Sequence, residues 1–251
     1  MLSFFVIKLR HIIIALLVII IIPVVWFSVS RTASVFLVNG REVPIYSVER
    51  DDNKIALTFD CAWGDEDMDA ILTTLDKYGV KATFFVVGTW VENYPDALRK
   101  IKEHGHEIGN HSYNHADYTK LGAENIISDL DKCDSVIENV IGEKPYLMRA
   151  PSGGYNDTVI TATEKSGRTY IQWSVDGIDY GDAEPQAIYD RSVTRTEAGD
   201  IILLHTGTKS TANVLPKILE ALECKYEFAT VSELIYRENY KIDNAGRQFQ
   251  N

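Results

Sequence analysis

The sequence predicts an α/β chain, a closed or nearly closed barrel of about seven parallel strands preceded by one N-terminal transmembrane helix. Three observations carry this expectation. From Lys54 onward, short apolar runs rich in β-branched and aromatic residues alternate with longer amphipathic stretches. Strand-then-helix units in succession imply parallel pairing, because parallel strands need a crossover and a helix usually supplies it. Residues 12–29, "IIIALLVIIIIPVVWFSV", are eighteen long and carry no charge, which meets the lower bound for spanning a bilayer.

The elements follow in order. Lys8, Arg10 and His11 precede the apolar run, so residues 1–32 read as a cytoplasmic tip and an anchor, with the bulk outside. A cleaved signal peptide is the competing reading, with "SVS" at 28–30 as a weak cleavage site and a secreted product. The length of the run favours the anchor. Residues 33–53 form a lead-in, where Gly40 and Pro44 punctuate a hairpin. Strands are expected at 54–60, 81–87, 106–111, 146–149, 168–174, 200–205 and 226–230. Helices are expected near 67–78, 95–104, 123–141, 156–166, 185–196, 212–223 and 231–237. Asn156 and Asp157 suit a helix start, and Gly79, Gly105, Gly142 and Gly167 suit helix ends. The barrel thus covers 54–237, and 238–251 reads as a polar tail. No G-x-G-x-x-G turn follows the first strand, which argues against an open dinucleotide-binding sheet.

Charge and cysteines narrow the function. With a net charge of −11 over 251 residues, a nucleic-acid backbone is excluded as partner. Any anionic polymer must be gripped locally. Cys61, Cys133 and Cys224 show no C-x-x-C spacing and are odd in number, so this is no disulfide scaffold. A single Cys133–Cys224 bridge is left open.

Chemistry collects at the strand ends. The first strand ends in Asp60, the third in His111 with His115 four residues on, and the fourth in Arg149. The fifth runs into Asp176 and Asp179, and the sixth ends in His205. In a βα barrel these ends converge on one mouth, where active sites lie. Each residue has a plain reading alone: Asp60 as a turn residue, Arg149 as a surface ion pair, the two acids as loop solvators, His205 as a core histidine. Two imidazoles at i and i+4 can share a metal, but one such pair is weak evidence. His104 and His106 fall at the opposite pole. The recurrence of reactive types at strand after strand outweighs the separate plain readings.

"TFDCAW", "HSYNH", "RAPSGGY", "DGIDY" and "LLH", in this order, resemble the five motifs of the polysaccharide deacetylases, the NodB-homology or carbohydrate esterase 4 family. The likeness covers residues 54–237, and its details are most similar to the PdaB-type sporulation branch. It implies a distorted seven-stranded (β/α) barrel that removes N-acetyl groups from a cell-wall polysaccharide such as peptidoglycan, with a divalent metal, Zn²⁺, as cofactor. On these motifs Asp60 matches the general base and Arg149 the residue that orients it. His205 matches the general acid and Asp179 the carboxylate that tunes it. His111 and His115 match metal ligands. Trp63, Ser152, Gly153, Tyr155 and Tyr180 fall at substrate-binding positions, with backbone N–H groups around Ser152 and Gly153 helping to hold an oxyanion.

Three positions depart from the family pattern. Ser152 stands where an aromatic residue is common, Tyr180 where Trp is usual, and Cys61 where the third metal ligand, an Asp, is expected. As a nucleophile Cys61 is disfavoured, since successive strand residues point to opposite faces and Asp60 claims the mouth. As a thiolate it could serve Zn²⁺, although it is shorter than a carboxylate. Asp65, Glu66 or water could also complete the site, or Cys61 could be a small buried residue. The reading favoured is weakened metal binding. The alternative function is a catalytically weak or inactive barrel that binds glycan during wall assembly.

Overall fold

A computed structural model describes residues 43–251. Seven parallel strands form one curled sheet, in the order β6-β5-β4-β3-β2-β8-β7. They are β2 (Lys54–Cys61), β3 (Thr83–Val86), β4 (Glu107–Asn110), β5 (Leu147–Met148), β6 (Thr169–Tyr170), β7 (Val175–Asp176) and β8 (Ile201–His205). A further parallel strand, β9 (Glu227–Ala229), pairs with the start of β2. Between them run α1 (Met68–Tyr78), α2 (Gly88–Asn93), α3 (Pro95–Glu103), α4 (Ala123–Ile141), α5 (Asp157–Lys165), α6 (Pro185–Thr194) and α7 (Thr211–Glu223), followed by the single turn α8 (Val231–Leu234). The anchor expected at 12–29 lies outside the described residues. Among those described, no helix is long and apolar enough to cross a membrane.

The stops read from sequence have physical counterparts. α1 and α4 end where Gly79 and Gly142 adopt φ of 65° and 75°, a conformation that a side chain would crowd. Asn156 caps α5 by accepting the Val159 N–H.

Alternation along β2 sorts the core. Ile55, Leu57, Phe59 and Cys61 join a cluster with Ile71, Leu75, Leu98 and Leu219 beneath the helices. Ala56 belongs to a different cluster, with Phe85, Leu147, Ile171 and Ile201. Thr58 and Asp60 face the same inner side, where both meet Arg149. Gly109 lets β4 pass the Phe85 ring, since a Cβ there would lie 2.4 Å from it.

The sheet is a curled half-barrel, and its pairing differs from the expectation at three places. Of the strand expected at 168–174 only β6 forms; β7 begins just beyond it, and the two lie at opposite edges of the sheet. Residues 171–174 link them, so the edges must curl to within about 18 Å of each other. The seam is bridged by the lead-in: Ile45 pairs with Ile171, and Ser47 with Asp200. The lead-in therefore forms no hairpin among its described residues. Instead β1 (Ser47–Val48) pairs in parallel with β11 (Arg247–Gln250), beside β10 (Tyr240–Ile242). The stretch expected as a polar tail is this small sheet. A strand's existence depends on a distant partner as well as on its own sequence, and these partners lie far apart in the chain. The helix α2 was also absent from the expectation, because "FFVVGTWV" reads as one apolar run.

Candidate active site

Asp60, at the end of β2, is buried, and its Oδ1 accepts from Arg149 Nη1 at 2.8 Å. Arg149, just after β5, is fully buried. Its Nη1 also donates to Thr58 Oγ1 (2.9 Å), its Nη2 to the Gln172 carbonyl (3.0 Å), and its guanidinium lies over the Phe85 ring at 4.2 Å. Burial alone would raise the Asp60 pKa, but His111, Arg149 and His205 together hold it below the ordinary carboxylate value. His111 is itself neutral above about pH 4, chiefly through burial. With His111 uncharged at neutral pH, the effect falls to the permanent charge of Arg149 and to protonated His205.

His111 follows β4. Its Nδ1 lies 2.8 Å from the Arg149 carbonyl, and a carbonyl can only accept, so the proton sits on Nδ1. That leaves the Nε2 lone pair 3.4 Å from Asp60 Oδ2. His115 stands edge-on to His111 with ring centroids 5.1 Å apart. The two imidazoles and the base thus share one corner of the mouth. Cys61 does not join them. It is fully buried in the helix-side core, and burial pushes its thiol pKa far up. Among the described residues, no group of three or more His, Cys, Asp or Glu is arranged to hold a metal ion. The donors present do not fit the three-ligand centre that the motifs imply.

His205 ends β8, and its register partner on β2 is Asp60. Its backbone N–H donates to Asp179 Oδ2 and its Nδ1 to Asp179 Oδ1, both at 2.7 Å. Thr211 Oγ1 also donates to Asp179. Asp179, not Asp176, is thus the partner of His205. Burial opposes protonation of His205, but the Asp179 hydrogen bond, with the charges of Asp60, Asp179 and Asp176, raises its pKa above the usual value. Trp63 stacks on the His205 ring at 5.1 Å and Tyr180 meets it edge-on at 5.6 Å.

On the other side of Arg149, Ser152 and Gly153 both take positive φ, 54° and 64°. The Gly153 N–H already donates to the Ala150 carbonyl. That N–H is therefore engaged within the turn. Gln172 Nε2 donates to the Gly153 carbonyl and fixes this loop. Tyr155 packs edge-on to Tyr46 and Tyr170. His106 lies apart, lining a recess of about 310 Å³ with Lys102, Glu107 and Tyr146 at the N-terminal side of the sheet.

Sequence reasoning missed Thr58, Gln172, Thr211 and Asp67. Thr58 was within reach, being two residues before Asp60 and so on the same face. Asp67 accepts the N–H groups of Gly207 and Thr208, tying the loop after His205 to the loop that carries Trp63. No local signal marks that tie.

Comparison with known proteins finds relatives in sequence and in fold. The polysaccharide deacetylase family profile matches residues 47–171. YlxY of Bacillus subtilis, an uncharacterised protein, is 38% identical over 203 residues, covering 80% of this chain and 63% of YlxY. A peptidoglycan-N-acetylglucosamine deacetylase of Bacillus cereus is 33% identical, over 76% of this chain and 92% of that protein. The crystal structure of BA3943 from Bacillus anthracis, described as a CE4 family pseudoenzyme, superposes with a TM-score of 0.74 at 31% identity, covering 83% of this chain and 73% of that one. A mutant of BA3943 is described as having restored enzymatic activity. The chain belongs to the polysaccharide deacetylase family, carbohydrate esterase family 4. It spans less than two thirds of the length of YlxY.

Proposed function

We propose that this protein hydrolyses N-acetyl groups on a cell-wall glycan, peptidoglycan being the substrate that relatives such as the Bacillus cereus enzyme favour. One observation carries the reading: an arginine-held carboxylate, Asp60, and a carboxylate-held histidine, His205, are register partners on adjacent strands. Such a pair supplies a base and an acid to one reacting group. Asp60 takes a proton from water as its oxygen adds to the acetyl carbon. His205 gives its proton to the nitrogen as the C–N bond breaks, and acetate and a free amine leave. Arg149 keeps Asp60 ionised and aimed, and Asp179 does the same for the protonated imidazole. Trp63 and Tyr180 border the sugar. With the apolar run at 12–29 as an anchor, this chemistry would lie outside the cytoplasm, and the PdaB-type likeness extends the proposal to the wall of a sporulating cell.

A second reading is favoured by Cys61. Its burial on the helix side leaves the two histidines without a third ligand, and the barrel would then bind glycan with little or no turnover. Acetate release separates the two. Full-length protein is incubated with N-acetylglucosamine oligomers and with peptidoglycan, with and without added Zn²⁺ or Co²⁺. Acetate above an Asp60→Asn control supports the hydrolase; glycan binding with no acetate under any condition supports the second reading.

A further inference from the structure

Among the described residues, three large apolar side chains are exposed: Trp63 (48%), Tyr180 (47%) and Ile178 (39%). The first two flank His205. Ile178 stands next to Asp179 in the loop after β7, and the acid–base chemistry makes no use of it.

Its backbone is unusual. Ile178 has φ of 47°, where a Cβ crowds the following carbonyl and a β-branched side chain is an outlier. The loop is pinned there. Asp176 Oδ1 accepts the Ile178 N–H at 2.8 Å, and Arg191 Nη1 donates to the carbonyls of Gly177 and Ile178 at 3.3 and 3.4 Å. Gly177 passes so close to β8 that a Cβ would lie 2.6 Å from Leu204 Cδ2. This tight turn leads directly into Asp179, the partner of His205.

The turn accounts for the positive φ and leaves the isoleucine unexplained. Glycine or asparagine would adopt the same conformation with less strain, and neither would hold an aliphatic side chain in water. Backbone strain of this kind clusters at functional sites.

Resting on the glycan reading above, we infer that Ile178 is a specificity-determining contact for the bound sugar. It stands in the chain between Gly177 and Asp179, two residues before Tyr180, and would meet a carbon-rich patch beside the acetamido group. Two parts of a wall glycan offer that chemistry: the C–H face of a pyranose ring, and the methyl of an alkyl ether on the oxygen next to the acetamido carbon.

The test measures glycan affinity and thermal stability on full-length Ile178→Gly and Ile178→Asn. Two probes are titrated, N-acetylglucosamine oligomers, which offer ring faces only, and muramic-acid-containing disaccharide fragments, which add the ether methyl. Kd is expected to rise about tenfold in both variants, as loss of a partly covered aliphatic side chain implies, with no fall in Tm for Ile178→Asn. A rise for both probes assigns the ring face; a rise for the muramic fragments alone assigns the ether methyl. Kd unchanged within about twofold for both probes overturns the inference, as does a lower Tm with unchanged Kd, which assigns Ile178 to folding. If wild type binds glycan but releases no acetate, hydrolysis fails while the contact stands or falls on Kd. If acetate is released and neither Kd nor KM moves in the variants, the contact alone fails. If wild type binds neither probe, both fail.

Discussion

Asp60 on β2 and His205 on β8 are paired residue to residue, each secured by an oppositely charged neighbour, Arg149 and Asp179. The hydrogen-bonded ladder itself sets the spacing of base and acid, without help from a mobile loop. Asp60→Asn is therefore expected to lower kcat by about 10²–10⁴-fold and, because it leaves the buried Arg149 charge uncompensated, to lower the melting temperature as well. Acetate release and a thermal melt on the same sample check both halves.

Arg149 matters to the fold as well as to the site. It is fully buried against an ionised carboxylate, so removing it strands a charge. Arg149→Met is expected to cost about 3–5 kcal/mol. The double variant Asp60→Asn/Arg149→Met should cost less than the sum of the two singles, because the stranded charge is gone. Urea denaturation of the four proteins measures that coupling, and strict additivity would contradict it.

The pH profile of kcat/KM should be broad. The base limb lies below the ordinary carboxylate range, because Asp60 stays ionised there. The acid limb lies above the ordinary histidine value, because His205 keeps its proton to higher pH. Activity thus falls as pH rises through the raised histidine pKa. Asp179→Asn removes the carboxylate and should shift that falling limb to lower pH, leaving the base limb in place.

Cys61→Asp tests the missing ligand without relying on turnover. Placed in the apolar core that Cys61 now fills, a carboxylate is expected to lower Tm in metal-free buffer. Zn²⁺ should raise Tm of this variant by mass action and change wild type much less. His111→Ala in the Cys61→Asp background should abolish the rise. An equal metal response in wild type would show that the cysteine is no deficit.

His106, far from the mouth, is expected to contribute to the loss of stability in acid. Burial, with the nearby charge of Lys81, lowers its pKa to about 4, and its Nδ1 accepts the Ala82 N–H. The unfolded chain, with a pKa near 6.5, takes up a proton that the native state refuses between those values. This contribution is complete above about pH 6.5 and is lost as pH falls toward 4, by up to about 3 kcal/mol. Chemical denaturation at pH 7 and pH 4.5 should show the loss, and His106→Gln should reduce it, with the buried His111 leaving a remainder of the same sign.

Much of the barrel was legible because its signals are local. Apolar runs, helix stops such as Asn156 and Gly142, and reactive residues at strand ends each occupy a few neighbouring positions. The direction of Cys61 was legible too, from alternation against Asp60. What escaped depends on distant partners. The end of β6 within the expected 168–174 strand goes with Ile45 reaching Ile171, and β11 exists because Ser47 and Val48 pair with it. Asp67 needed the loop after His205 to be in place before its role could be seen.

The seam between the β6 and β7 edges of the sheet has a consequence for biogenesis. β1 bridges it, and β1 rests on β11 at Arg247 and Gln248. A polypeptide halted before residue 247 would hold every strand of the sheet and still lack the brace behind its opening. Folding can begin from the local βα units as they are synthesised, yet the last long-range pairing must wait for the final stretch to arrive. Premature termination in that stretch should therefore produce a loosened, protease-sensitive barrel whose base and acid are both present.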